Sequence, residues 1–488
     1  MTSRATGREE GGNARDGSSQ PAAKRTRRER SKGRSKPTRR AAVRGALTAW
    51  LGRPLASFHL ILATCVLLVV IGLMMVLSAS SVASYNQSGS SVYALFGKHA
   101  MWVGVGTVLF WIGLRVPLPR IRQLSTVGMV GSVLLLIAVL TPLGSRVNGS
   151  QGWIIVGPLS FQPVEVAKLA LTLWGAHVLM TKQAVLHQWR HLLVPVVPAA
   201  LLVFGLVMMQ PDLGSTVTLG VVLIAMLWFA GASGRLFATI FAGGLAGMIV
   251  LAIGAEYRLT RILTFLNPES ASDAARYQAD QAMYALADGG LFGKGLGQGP
   301  SKWSYLPNVH HDFIFALIGE ELGFVGCAVV LGLFGALAVV GIRIAMRNID
   351  PWIRVVAGTL TAWLVLQAAI NIGYVVGLLP VTGIPLPLIS YGGSSVVVTM
   401  LVFGILANCA RNEPESVSAL RSQGPGKFGR LLRLPAPEPY RPPPERRKAA
   451  SRKGAGGGAR KPPARGSAGG PSRRPGRSGN QRSTGGRR

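Results

Sequence analysis

About ten stretches of the chain are apolar for long enough to leave little choice of fold. They lie near residues 57–79, 98–115, 124–142, 164–181, 191–209, 214–231, 236–255, 313–342, 354–378 and 386–409. A run of roughly 18 or more apolar residues cannot expose its backbone to lipid. It must satisfy every N–H and C=O within itself, which a helix does. The expected fold is therefore an all-α polytopic membrane protein of about ten transmembrane helices.

Charge orients these spans. One set of loops holds Arg115, Arg120 and Arg122, then Lys182 and Arg190, Arg235, and Arg343, Arg347 and Arg354. The alternate short loops hold one basic residue or none, such as Lys98 and Arg146. Basic loops stay in the cytoplasm, so both termini are expected there and the long segment 256–311 is expected outside. The net charge is +33, of which +11 lies in residues 1–53 and +16 in residues 411–488. These tails are rich in Gly, Pro, Ser and Arg, cannot bury a core, and read as disordered, cytoplasmic and basic. No folded nucleic-acid module accompanies them, so anionic lipid headgroups are the favoured contact over nucleic acid. The membrane domain is expected to span 54–410. Cys65, Cys327 and Cys409 sit in apolar runs without metal-ligand spacing and read as small buried hydrophobes.

The acids are placed one-sidedly. Of those between the tails, only Asp350 falls on the cytoplasmic side; Glu165, Asp212, Glu256, Glu269, Asp273, Asp280, Asp288, Asp312, Glu320 and Glu321 all map outward. Acids contribute little to insertion, so an outward polar surface is implied. In "YLPNVHHDFIFALIGEELG", Asp312 stands at the mouth of the span from Phe313 to Ile342, about 45 Å if one helix. Glu320 and Glu321 follow about 12–14 Å further along. Ionisable groups within a span face a cavity or a partner, or else snorkel to the interface.

Four more stretches supply partners. In "QPVEVAKLAL", Glu165 and Lys168 are spaced i, i+3 and can pair. The pair is either structural or a phosphate-facing lysine in a cavity. "MQPDLGST" is a tight turn with Gln210, in which Asp212 caps the next helix. "GGLFGKGLGQGPSKWSYLP" carries Lys294 and Lys302 among glycines and offers an anion-binding nest. It lacks GK[ST] and a preceding strand, so it is not a nucleotide loop. "GLLPVTGIPLPLISYGGSS" interrupts a span entrance with prolines and glycines. It reads as a re-entrant wall with Ser390, Tyr391, Ser394 and Ser395 as polar donors.

Together "QPVEVAKLAL", "LPNVHHDFIFALIGEELGFVG" and "GLLPVTGIPLPLISYGGSS" resemble the shape, elongation, division and sporulation family over about residues 55–410. The resemblance is nearer the division-type members of high-GC Gram-positive bacteria than the elongation type. It implies a peptidoglycan glycosyltransferase that polymerises lipid II at the outer face of the bacterial cytoplasmic membrane, at the division septum. Asp312 matches the family's catalytic aspartate and would be the general base. Glu165 and Lys168 match paired residues at the cavity, and Trp153 matches an outer-loop aromatic. The leaving pyrophosphate needs cations, for which Lys168, Lys294, Lys302, Arg258 and Arg261 are candidates. A divalent cation, magnesium or manganese, would help. His310 is an alternative base. The implied partners are a class B penicillin-binding protein, the septal transpeptidase, and other divisome proteins. Many relatives have Arg-Arg where this chain has Gln151-Gly152, Glu where it has Asn308, and Thr where it has His311. An elongation-type polymerase, a lipid II flippase and a non-catalytic scaffold are the competing readings. The flippase is disfavoured by acids confined to one side.

Overall fold

The computed structural model describes residues 53–88, 93–147, 150–157, 159–182, 194–253, 265, 273–300 and 311–440. Every expected span falls on a helix. In chain order these are α1 (Ala56–Ser88), α2 (Ala94–Arg115), α3 (Leu118–Leu140), α4 (Pro163–Thr181), α5 (Val196–Met208), α6 (Leu213–Phe229), α7 (Gly234–Ile253), α9 (Ile314–Arg347), α10 (Pro351–Val375) and α11 (Ser394–Arg411). Between α7 and α9 lies α8 (Asp273–Asp288). Among the described residues, seven helices are long and apolar enough to cross a membrane, while α5 and α6 are shorter apolar helices. The chain is thus a helical, multi-pass membrane protein.

Local chemistry starts these helices. Pro163 and Pro351 stand in the first turns of α4 and α10, where a missing N–H costs nothing. Asp350 caps α10, its Oδ1 accepting from Trp352 N at 2.9 Å. Asp212 caps α6 through Ser215 N at 2.9 Å and Ser215 Oγ at 2.6 Å, as the turn chemistry predicts.

Two regions depart from expectation. Residues 144–161 form a small antiparallel sheet in the order β1 (Gly144–Val147), β2 (Ser150–Val156) and β3 (Leu159–Phe161). Ser145 pairs with Trp153, and Ile154 with Phe161. The sequence signal was there: Asn148-Gly149 separates the first two strands, and that dipeptide favours a two-residue hairpin. The second departure is at the other end. The tail expected from residue 411 begins as structure: α12 (Pro414–Gln423) and α13 (Gly426–Leu431) follow α11. Ser416 Oγ accepts from Leu55 N at 3.3 Å, and Leu432 O accepts from Trp111 Nε1 at 3.1 Å.

The long helix α9 is not the continuous rod expected. Gly323 inside it has φ 68° and ψ −166°, which breaks it. The break leaves orphan backbone groups, and the glycine-rich loop after α8 satisfies them. Lys294 N and Gly295 N donate to the carbonyls of Glu320 and Glu321 at 2.9 and 3.0 Å. Phe324 N and Val325 N donate to the carbonyls of Gly290 and Leu291 at 2.9 and 3.2 Å. Only glycine permits this approach, since a Cβ on Gly293 (φ 77°) or Gly323 would overlap the facing backbone. These N–H groups are therefore spent inside the protein, and residues 293–295 do not form the anion nest expected of them.

Between α10 and α11 the backbone is irregular. Ile384, Leu386, Leu388, Ile389 and Ser390 are all buried. Leu388 O lies against Gly72 of α1, about 24 Å along that helix from Ala56. Irregular backbone at such depth needs partners, and it has them: Ser390 Oγ accepts from Leu386 N at 2.8 Å, and Pro385 O accepts from Gln367 Nε2 at 3.0 Å.

Candidate active site

Asp312 lies just before α9, whose N-cap is Phe313, and is half-buried. It therefore precedes the helix. Its backbone carbonyl accepts from Asn371 Nδ2 at 3.0 Å and from the Tyr374 hydroxyl at 2.9 Å. The same two donors reach Ile384 O at 2.7 and 2.8 Å. One face of α10 thus staples the Asp312 turn to the re-entrant segment. The carboxylate meets that segment too: Asp312 Oδ2 is 3.7 Å from where a Cβ on Gly383 would stand. The α5–α6 turn packs on the same place, with Thr382 O 2.7 Å from the corresponding point on Gly214.

The α10 face continues inward to the expected ion pair. Lys168 Nζ bonds Glu165 Oε1 at 2.8 Å, with side-chain exposures of only 2% and 4%. The ammonium also sits 4.9 Å over the Trp363 ring. Trp363 Nε1 donates to Gln367 Oε1 at 2.8 Å, and Gln367 holds Pro385 O. Trp363, Gln367, Asn371 and Tyr374 thus form one polar stripe linking Glu165–Lys168 to Asp312. From 363 to 371 that stripe covers about 12 Å. It went unread in "WLVLQAAINIGY" because its polar residues are scattered at helical spacing through an apolar span.

His311 is the other residue the sequence reading passed over. Its Nδ1 lies 2.8 Å from Tyr391 O. A carbonyl only accepts, so Nδ1 carries the proton and Nε2 is the basic nitrogen. Burial pushes the imidazole below its ordinary pKa, while the Asp312 charge and the Tyr391 carbonyl oppose that shift. The His311 and Tyr391 rings meet edge-on, centroids 5.1 Å apart.

The remaining expected residues are distributed as follows. Gln210 is buried, and its carbonyl accepts from Ser150 Oγ at 2.7 Å and Gln151 N at 3.2 Å, tying β2 to the α5–α6 turn. Trp153 is half-buried on β2. Ser394 Oγ accepts from Gln162 N at 2.9 Å, so it ties the segment after β3 to α11, and Ser390 Oγ is engaged within its own turn. Lys294 pairs with Asp288 at 2.8 Å on the exposed surface. Glu320 and Glu321 do not snorkel. Each is 1% exposed, and Glu321 Oε1 accepts from Ser78 Oγ at 2.6 Å. Arg258, Arg261, Lys302 and His310 lie outside the described residues, as does Asn308. Among the described residues no three His, Cys, Asp or Glu side chains converge as metal ligands.

Residues 58–415 match the model of the FtsW, RodA and SpoVE family, described as "Cell cycle protein". The chain belongs to that family. It is 48% identical over 404 residues to the "Probable peptidoglycan glycosyltransferase FtsW" of Mycobacterium tuberculosis, covering 83% of this chain and 77% of the relative. It is 40% identical over 349 residues to the "Stage V sporulation protein E" of Bacillus subtilis, covering 71% and 94%. Two solved family folds are similar. One is the rod shape determining protein RodA of Thermus thermophilus, at TM-score 0.55 and 27% identity over 75% of this chain and 99% of that one. The other comes from a structure titled "Structural coordination of polymerization and crosslinking by a peptidoglycan synthase complex". It has TM-score 0.57 and 28% identity over 70% and 98%.

Proposed function

We propose that the chain is a peptidoglycan glycosyltransferase that extends glycan strands from lipid II at the outer face of the bacterial cytoplasmic membrane, in the septal role. Both termini lie in the cytoplasm, and segment 256–311 lies outside. The observation that carries the reading is the setting of Asp312. It is a half-buried carboxylate at the end of a span, on a turn pinned by Asn371 and Tyr374 to a re-entrant wall. The septal role, rather than the elongation role, is supported by 48% identity to the mycobacterial relative against 27% to the RodA structure.

In the reaction, the acceptor sugar hydroxyl attacks the anomeric carbon of the growing chain. The new glycosidic C–O bond forms as the bond to undecaprenyl pyrophosphate breaks. Asp312 takes the hydroxyl proton, and the electron pair of the broken bond leaves on the pyrophosphate. Lys168 is neutralised by Glu165 and acts by holding the wall through Trp363 and Gln367. Charge stabilisation of the leaving group falls to Arg258, Arg261 and Lys302 of the outer segment. A class B penicillin-binding protein at the septum, with other divisome proteins, is the partner. The fold's likeness to a component of a polymerisation and crosslinking complex supports that pairing.

The test is glycan polymerisation from purified lipid II by the chain co-purified with its transpeptidase, wild type against Asp312→Asn. The expected result is polymer from the wild type and a loss of at least ~100-fold in the variant, the range for removing a general base. Polymer from both would remove Asp312 from the role. Polymer from neither, beside an active transpeptidase, would favour the flippase or the scaffold.

A further inference from the structure

His99 is a buried imidazole that this reaction does not use. It sits on the outer part of α2, wholly buried, on the stripe with Gly106, Phe110 and Gly113. Among the described residues neither of its ring nitrogens has a hydrogen-bond partner. Its ring lies against Tyr391, centroids 5.6 Å apart at 32°. Tyr391 also meets His311, the neighbour of Asp312. Tyr391 thus touches both His99 and the neighbour of Asp312. It is half-buried and is followed by Gly392 and Gly393, the latter at φ 48°. Beside it, Trp102 Nε1 and Ser160 Oγ stand 3.5 and 3.4 Å from where a Cβ on Gly393 would be.

A buried polar group without a partner is costly, and its retention calls for a state in which the partner is present. A charged imidazole in this setting would be far costlier than a neutral one. The neutral ring presents one donor and one acceptor. A phosphate only accepts and would satisfy half of it. A hydroxyl or an amide, which both donates and accepts, matches it fully, and those are the groups of an acylated amino sugar.

We propose that His99 is a substrate-contacting residue that hydrogen-bonds the hydroxyl or amide groups of the lipid-linked sugar once the Tyr391 ring turns aside. This rests on the glycosyltransferase reading. His99→Phe keeps a ring of similar size against Tyr391 and removes both nitrogens, while His99→Gln keeps a donor and an acceptor. Two binding measurements are made on the complex with its transpeptidase: affinity for lipid II, and affinity for undecaprenyl pyrophosphate, which has no sugar.

His99→Phe should lose lipid II affinity by about 10- to 100-fold, as expected for one or two hydrogen bonds. Its affinity for undecaprenyl pyrophosphate should be unchanged, and His99→Gln should recover much of the lipid II affinity. Wild-type lipid II affinity in His99→Phe would overturn the proposal, because the nitrogens would then be spectators or would hold an internal water only. Equal loss of both ligands in both variants would also overturn it, since the damage would be structural. If the wild type itself fails to polymerise, the glycosyltransferase reading falls first, and that outcome is separable from these.

Discussion

Lys168 shows how far a side chain's type can be read without its surroundings. The i, i+3 spacing with Glu165 was enough to predict the pair. It was not enough to choose between a phosphate-binding lysine and a buried one, because that depends on Trp363, nearly two hundred residues away in sequence. The geometry makes a prediction that separates the two. Lys168→Met leaves Glu165 buried and uncompensated, which should cost about 3–5 kcal/mol and lower the melting temperature. Adding Glu165→Gln should restore most of that stability. If glycan polymerisation returns with it, the pair is structural; if stability returns and polymerisation does not, the ammonium touches substrate. His311 offers a second residue-level check. Its folded pKa lies below the ordinary 6.5, so the unfolded chain takes up the proton first as pH falls. Stability should therefore decline on acidification below about 6.5 and be unaffected by this group above it. The decline should be shallower in His311→Asn, as read from melting curves at stepped pH. Aligned against a family pattern, His311 looked like a mere departure; only the fold brings Tyr391 to it.

At the scale of elements, the break in α9 is the feature least visible beforehand. Glycine is common in transmembrane helices, so Gly323 in an apolar run carried no warning. The glycines of 289–295 were conspicuous, yet their abundance fitted an anion nest as well as it fitted backbone docking. What decides is where their N–H groups go, and they go to the carbonyls of Glu320 and Glu321. Gly293→Ala should strain the positive φ and push a methyl into the backbone at Glu321, costing at least ~1–3 kcal/mol. Gly332→Ala, also on α9 but facing open space, should be neutral or slightly stabilising. Melting temperatures of the two variants in detergent would show whether the dock, rather than glycine content, sets stability. The small sheet was missed for a simpler reason. A search for long apolar spans passes over three short strands, although Asn148-Gly149 announced a hairpin.

For the whole molecule, the length of the apolar runs located the helices: each expected span overlaps one, with ends up to nine residues off. The C-terminal boundary was misjudged because composition turns polar at 411 while contact with the helices continues. Arg411 donates to Pro435 O at 2.8 Å, Arg347 pairs with Glu415 at 2.8 Å, and Leu434 is buried. Ending the chain after Tyr440 keeps these contacts and should leave the melting temperature unchanged. Ending it after Arg411 removes them, and the loss of several hydrogen bonds at about 1 kcal/mol each should lower it by several degrees.

The staple at Asp312 also sets a timetable for synthesis. The loop that fills the α9 break precedes its partners by only about 26 residues, from Lys294 to Glu320, so it can dock as soon as α9 leaves the ribosome. Asp312 must wait for Asn371 and Tyr374, 59 and 62 residues later, and for Ile384 beyond them. The bond from Leu55 to Ser416 spans 361 residues and closes near the end. A nascent chain stalled before its last two spans would hold the aspartate with no wall opposite it and its backbone carbonyl without Asn371 and Tyr374.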